Sequence, residues 1–156
     1  MSVLNSKFDV LRGWPKEGAI DETWLIHQTV AGTDDSLPLG TVVTIDATSG
    51  GAKAATTPNR TSANGTSVWV VVAGNDDFSS QFVHKVVALR SNAMFQLDPA
   101  NLTAGSYVRG SKLSFTAGKW KVAAATEQVI GEVLQDRTAI DGTVVVMYTG
   151  GDAAML

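Results

Sequence analysis

The sequence has no cysteine, only two histidines and four prolines, and only 17% of its 156 residues are charged. Without cysteine there are no disulfides, no thiolate chemistry and no Cys-ligated zinc, and redox compartment is left open. His27 and His84 each stand alone in a strand-like run with no ligand neighbour two or four residues on, so they read as strand histidines and no metal is expected. The charge content is below the ~25% of an average domain. With a net charge of −3, a pI near 5.2 and Lys/Arg only in scattered pairs, a phosphate-binding footprint is missing, and no nucleic acid is expected as partner. Long apolar runs are missing too. The longest, Val68 to Ala73, has six residues and is too short to span a bilayer, so no membrane partner is expected. The opening MSVLNSKFDVLRGWPKEG lacks the basic stretch and apolar core of a secretory signal, so standard export is not expected either.

What is present suits β-structure. Apolar residues make up 44% of the chain at a mean hydropathy of +0.09, and a chain of this length buries roughly 68–70% of its unfolded surface. That fits one domain, or one domain with an arm. Residues 1–22 read as an extended N-terminal arm: Phe8, Val10, Leu11 and Trp14 lie among charged residues, and the Trp14-Pro15 step and Gly18 oppose a helix. These apolar side chains lack partners within the segment, so they cover either the chain's own body, as a first edge strand, or another chain.

Residues 23–156 read as the β-domain. The runs 23–30, 41–46, 68–73, 82–90 and 93–97 are rich in β-branched and aromatic residues and are separated by Gly, Asn, Asp, Ser and Thr clusters. Residues 47–67 are small and polar, a loop with at most short edge pairing. In residues 112–123 a two-residue turn at Ala117-Gly118 would set Phe115 opposite Trp120 and Leu113 opposite Val122, with Ser114 and Thr116 facing Lys121 and Lys119 on the other side. Residues 130–136 and 142–148 continue the meander through Asp141-Gly142. The expected fold is all-β: a compact β-barrel or sandwich of about eight to ten short antiparallel strands. The halves also echo each other. Leu37 to Val43 matches Leu102 to Val108 loosely, and Gly51 to Thr56 matches Gly118 to Thr126, which either a duplication or the shared grammar of turns explains.

Chemical motifs are scarce. Asp34-Asp35 and Asp76-Asp77 lack the EF-hand order and read as turns. No GxSxG, HExxH or P-loop occurs, so no catalytic residue and no cofactor is assigned; only a Ser/His/Asp arrangement brought together by folding would make a hydrolase. Trp14, Trp24, Trp69 and Trp120 would suit a sugar-stacking platform, although the last three sit in apolar strands that favour burial.

Four segments carry a resemblance: Leu102-Thr103-Ala104-Gly105, the hairpin Gly118-Lys119-Trp120-Lys121-Val122-Ala123, Ile130-Gly131-Glu132-Val133-Leu134, and Asp141-Gly142-Thr143-Val144-Val145-Val146. Across about a third of the chain these resemble the small β-rich decoration, or cement, proteins of tailed-bacteriophage capsids. The resemblance implies a non-enzymatic protein, most often a homotrimer, on the outer surface of the virion head. There it would be assembled in the host cytoplasm and would clamp the major capsid protein. It also implies that an N-terminal arm makes capsid contacts, which nominates Phe8, Val10, Leu11 and Trp14 as capsid or subunit contacts. A carbohydrate-binding head-fibre or tail accessory module is the alternative.

Overall fold

The computed structural model describes residues 6–12, 23–25, 37–46, 51–56, 67–73, 85–90 and 92–150. They form β1 (Asp9–Arg12), β2 (Thr23–Leu25), β3 (Val42–Ile45), β4 (Ala52–Ala54), β5 (Trp69–Ala73), β6 (Lys85–Leu89), β7 (Ala93–Leu97), β8 (Lys112–Thr116), β9 (Lys119–Val122), β10 (Gly131–Gln135) and β11 (Val144–Tyr148). A six-stranded sheet has the order β1-β7-β11-β10-β8-β9 and a five-stranded sheet the order β2-β6-β5-β3-β4. The fold is all-β. Its two antiparallel sheets do not close into a barrel and lie in a sandwich-like arrangement.

The residue patterns explain which faces are buried. In β7 and β11 every second residue points inward, placing Ala93, Phe95, Leu97, Val144, Val146 and Tyr148 in the core. With Leu113, Phe115 and Trp120 they meet Val42, Val70 and Leu89 of the five-stranded sheet. Phe95 sits at the centre of the aromatic packing, with ring centroids 5.4 Å from Phe8, 5.7 Å from Tyr148 and 6.4 Å from Trp120. Such pairs contribute about 0.5–1.5 kcal/mol each beyond their area. The five-stranded sheet is buried on its other face as well, where Val43, Ala52, Trp69, Val71 and Ala88 form a second cluster. A strand buried on both faces needs no polar alternation, which accounts for the unbroken apolar run of β5.

The β8–β9 hairpin has the register its side-chain pattern predicts: Leu113 opposes Val122, Ser114 Lys121, Phe115 Trp120 and Thr116 Lys119. Its second face is not simply solvated. Ser114 is fully buried, and beside it Lys121 pairs with Glu127 at 2.5 Å. Glu127 also accepts from the Ala124 N–H, and these two donors, the backbone one first, hold its carboxyl below the usual range. The 123–130 connection thus returns over the hairpin. Ala117 (φ 48°) and Gly118 (φ 81°) both lie in the left-handed region, as this tight turn requires. A Cβ on Gly118 would come within 3.0 Å of both Ala54 and Thr41. That close approach lets the turn bond to the five-stranded sheet, through Val42 N to Gly118 O (2.9 Å), Gly118 N to Ala55 O (2.7 Å) and Ala117 N to Thr56 O (2.8 Å). Two buried side chains tie the sheets further. The Trp120 indole donates to Gly40 O (2.9 Å), and the Tyr148 hydroxyl donates to Val68 O (3.1 Å).

The two sheets repeat one plan. In chain order β2, β3, β4, β5 and β6 pair with one another as β7, β8, β9, β10 and β11 do, and β1 is an addition outside β7. The registers coincide as well. Val70, Val71 and Ala73 oppose Leu89, Ala88 and Val87 across a bulge, as Glu132, Val133 and Gln135 oppose Met147, Val146 and Val145. Val42 and Val43 oppose Val70 and Trp69 as Lys112 and Leu113 oppose Glu132 and Gly131. The entry turns match bond for bond: Thr41 N to Pro38 O and Gly40 N to Val71 O are repeated by Ser111 N to Val108 O and Gly110 N to Val133 O. The described residues therefore repeat one five-strand plan. Lys53 and Ala55 correspond to Lys121 and Ala123, inside the second sequence echo, but the ends of that echo are out of register, because Gly51 and Thr56 correspond to Lys119 and Ala124. The first echo was out of register, because the counterpart of Gly40 (φ 86°) is Gly110 (φ 88°) and not Gly105.

The units are stacked in the same sense, not face to face. Leu113, Trp120, Val133 and Val146 point into the shared core, yet their counterparts Val43, Ala52, Val71 and Ala88 form the cluster on the far side of the five-stranded sheet. Conversely Val42, Val70 and Leu89 face the six-stranded sheet, and their counterparts Lys112, Glu132 and Met147 lie on its outer surface.

Candidate functional site

The residues nominated from the arm separate within a few positions. Phe8 is 8% exposed and belongs to the core through Phe95, and Val10 packs against the same cluster. Leu11 is 42% exposed. The segment is held by β1–β7 pairing, by Lys7 N donating to Asp98 Oδ2 (2.8 Å) and by the Gln96 amide donating to Lys7 O (2.8 Å). The register shifts between Val10 and Arg12 at a bulge, and Leu11 sits at that step. Trp14 lies outside the described residues, as do His27, His84, both acidic pairs and most of the 47–67 loop. Trp69 and Trp120 are buried in strands, so neither offers a stacking face to a sugar. Among the described residues no group of three or more His, Cys, Asp or Glu converges on a metal position, and no helix is long and apolar enough to cross a membrane.

A second exposed element lies at the end of the six-stranded sheet, in the β10–β11 loop. Ile140 is fully exposed there, although the backbone around it is tightly braced. Arg137 N donates to Tyr107 O (3.0 Å), Thr138 N to Thr143 O (3.0 Å), Gly142 N to Thr138 O (3.0 Å) and Arg137 Nε to Gly142 O (3.1 Å). Asp136 Oδ1 accepts from Arg109 N (2.7 Å). Asp141 Oδ1 accepts from the Thr138 hydroxyl, from Thr143 N (3.1 Å) and from the Thr143 hydroxyl (2.8 Å). These donors, Thr138 first, lower the Asp141 carboxyl to about 2. The sequence marked Asp141-Gly142 as a turn and left Ile140 unremarked. The signal available was one large apolar residue among the small and polar residues of the turn.

Where the hairpin turn meets the five-stranded sheet there is a concavity of about 300 Å3. Leu37, Pro38 and Ala54 form its apolar side, Ala100 and Asn101 its wall, and Lys119 stands exposed at its rim. The wall is fixed by a 3-10 turn, Pro99–Asn101, in which Asp98 and Asn101 cap each other reciprocally. The Asn101 amide then donates to Leu39 O at 2.7 Å, joining the two units.

No protein-family model, no curated protein and no solved structure matches the chain.

Proposed function

We propose that this protein is a non-enzymatic capsid decoration protein. It binds the outer surface of a tailed-phage head as a homotrimer and reinforces contacts between major capsid protein subunits. The observation that carries the reading is the edge strand β1. Phe8 and Val10 lock it to the body while Leu11 is turned outward, and its outer side has no strand partner among the described residues. A fixed edge with an apolar anchor can extend a neighbouring sheet or fill a pocket at little entropic cost, and repetition over a shell multiplies a modest contact. The resemblance of residues 102–151 to cement proteins supports the same reading.

The test is cosedimentation of the purified protein with heads that lack it, together with the temperature at which those heads burst. Binding with a raised bursting temperature, and loss of binding in Leu11→Asp with folding retained, are the expected results. Absence of binding to any head sinks the proposal.

A further inference from the structure

We propose that the 123–130 connection is a hinged strap, which opens and closes over the β8–β9 hairpin while the rest of the protein stays folded, with the Lys121–Glu127 pair as its latch. The inference does not rest on the capsid reading, because it concerns the chain alone. The two ends of the strap are pinned at neighbouring points of one strand. Ala123 N donates to Lys112 O (2.8 Å) and Ile130 N to Leu113 O (2.8 Å), and Ile130 is fully buried in the shared core. A loop whose ends are held that close can swing out without disturbing the strands it joins.

What lies between the pins is held by polar contacts. Ala124, Ala125, Thr126 and Val129 are exposed, no residue from 124 to 129 belongs to an apolar core cluster, and the covered side chains are Glu127 and Gln128. Segments that bury few apolar side chains open at a fraction of the free energy of global unfolding. Glu127 reaches Lys121 on the hairpin at 2.5 Å, while its second oxygen and its own N–H close a turn with Ala124 inside the strap. Closure also carries a penalty. Ser114 stands across from Lys121 on the same outer face, and its hydroxyl is buried with no hydrogen-bond partner among the described residues. The closed strap takes water from that hydroxyl and gives it no bond in return, and opening restores the water. A strap fastened by a charge-assisted bond over an unpartnered hydroxyl lies close in free energy to its open form.

The chain has no cysteine, so a single introduced thiol reports its own exposure without background. Ser114→Cys, a one-atom change beneath the strap, is compared with Leu113→Cys, whose side chain is fully buried on the opposite face of the same strand in the shared core. Val146→Cys, equally buried in that core, takes its place if Leu113→Cys does not fold. Native-state labelling by dithionitrobenzoate is followed with and without low urea, and the stability of each variant is measured by urea unfolding. The Ser114→Cys thiol is expected to react at least about 10-fold faster than global unfolding of that variant allows, at a rate that low urea leaves unchanged. The core thiol is expected to react only through global unfolding and to speed up with urea. Adding Glu127→Gln keeps an oxygen to accept from Ala124 N but removes the charge. It should speed Ser114→Cys labelling by about a further 10-fold, the loss of one half-buried charge-assisted hydrogen bond, with the core thiol still reacting only through global unfolding. A Ser114→Cys thiol that reacts only through global unfolding, one that reacts as fast as a free thiol in solution, or a rate indifferent to Glu127→Gln each overturns the proposal. None of these outcomes bears on head binding, which the cosedimentation experiment reads separately.

Discussion

Replacing Trp120 with Phe tests whether the two five-strand units behave as one folding body. Trp120 is fully buried, packs edge-on against Phe95 (6.4 Å, 76°) and Tyr148 (6.0 Å, 77°), and its indole N–H reaches the Gly40 carbonyl of the other unit. Phe keeps an aromatic ring in the cluster but removes that donor. A buried carbonyl deprived of its donor costs about 1–3 kcal/mol, and the lost ring volume adds to it. Trp120→Ala should cost about 3–5 kcal/mol, a large share of the roughly 5–15 kcal/mol by which a domain is folded. The assay is urea unfolding followed by circular dichroism. Because the core is common to both sheets, the midpoint should fall while the m-value stays unchanged and the transition stays single. A Trp120→Phe cost under about 0.5 kcal/mol, the scale of an ordinary surface change, would refute the bridging role. Two separated transitions in the wild-type protein would refute the shared core.

Phe8→Ala should lower stability by an amount at the low end of about 3–5 kcal/mol, since the ring is buried at a sheet edge; chemical unfolding reads this directly. The Ser114 hydroxyl is buried with no hydrogen-bond partner among the described residues, so Ser114→Ala should raise stability by about 1 kcal/mol, seen as a higher thermal midpoint. Asp141 binds its proton less readily folded than unfolded, so its contribution to stability is complete above the ordinary carboxylate value of 3.8 and is lost as pH falls through about 2. Thr138→Ala removes the first of its donors and should move the Asp141 titration, followed by carboxyl NMR, back toward that ordinary value.

Part of this architecture was legible in the residues alone. Alternation in residues 112–123 encodes the hairpin register, because directly opposed side chains must share a face, and the structure reproduces every pair, although Val122 on the apolar face is exposed and Ser114 on the polar face is buried. What the polar face packs against was not legible, since that depends on the return of the 123–130 connection. β5 was recognisable as a strand, but its uniform apolarity follows from burial on both faces, one of them against the second unit, a tertiary fact with no local signature. The structural repeat was visible only where the two units carry the same residues, at Lys53/Lys121 and Ala55/Ala123. At the entry turn the two units retain only the left-handed glycine and the bond pattern, and matching Leu37 with Leu102 by identity shifted the register. The arm divides in a similar way. Its apolar content announced a contact, but which side chains turn inward depends on the neighbouring β7.

Like-sense stacking has a consequence for how the molecule ends. Units that pile in one direction always leave an uncovered top layer able to receive another, and an array of that kind grows into a fibre unless something terminates it. On the outer layer here, the positions that are Val42 and Val70 in the inner layer have become Lys112 and Glu132, linked to each other at 2.5 Å. These two side chains put water and opposite charges where a third layer would have to land.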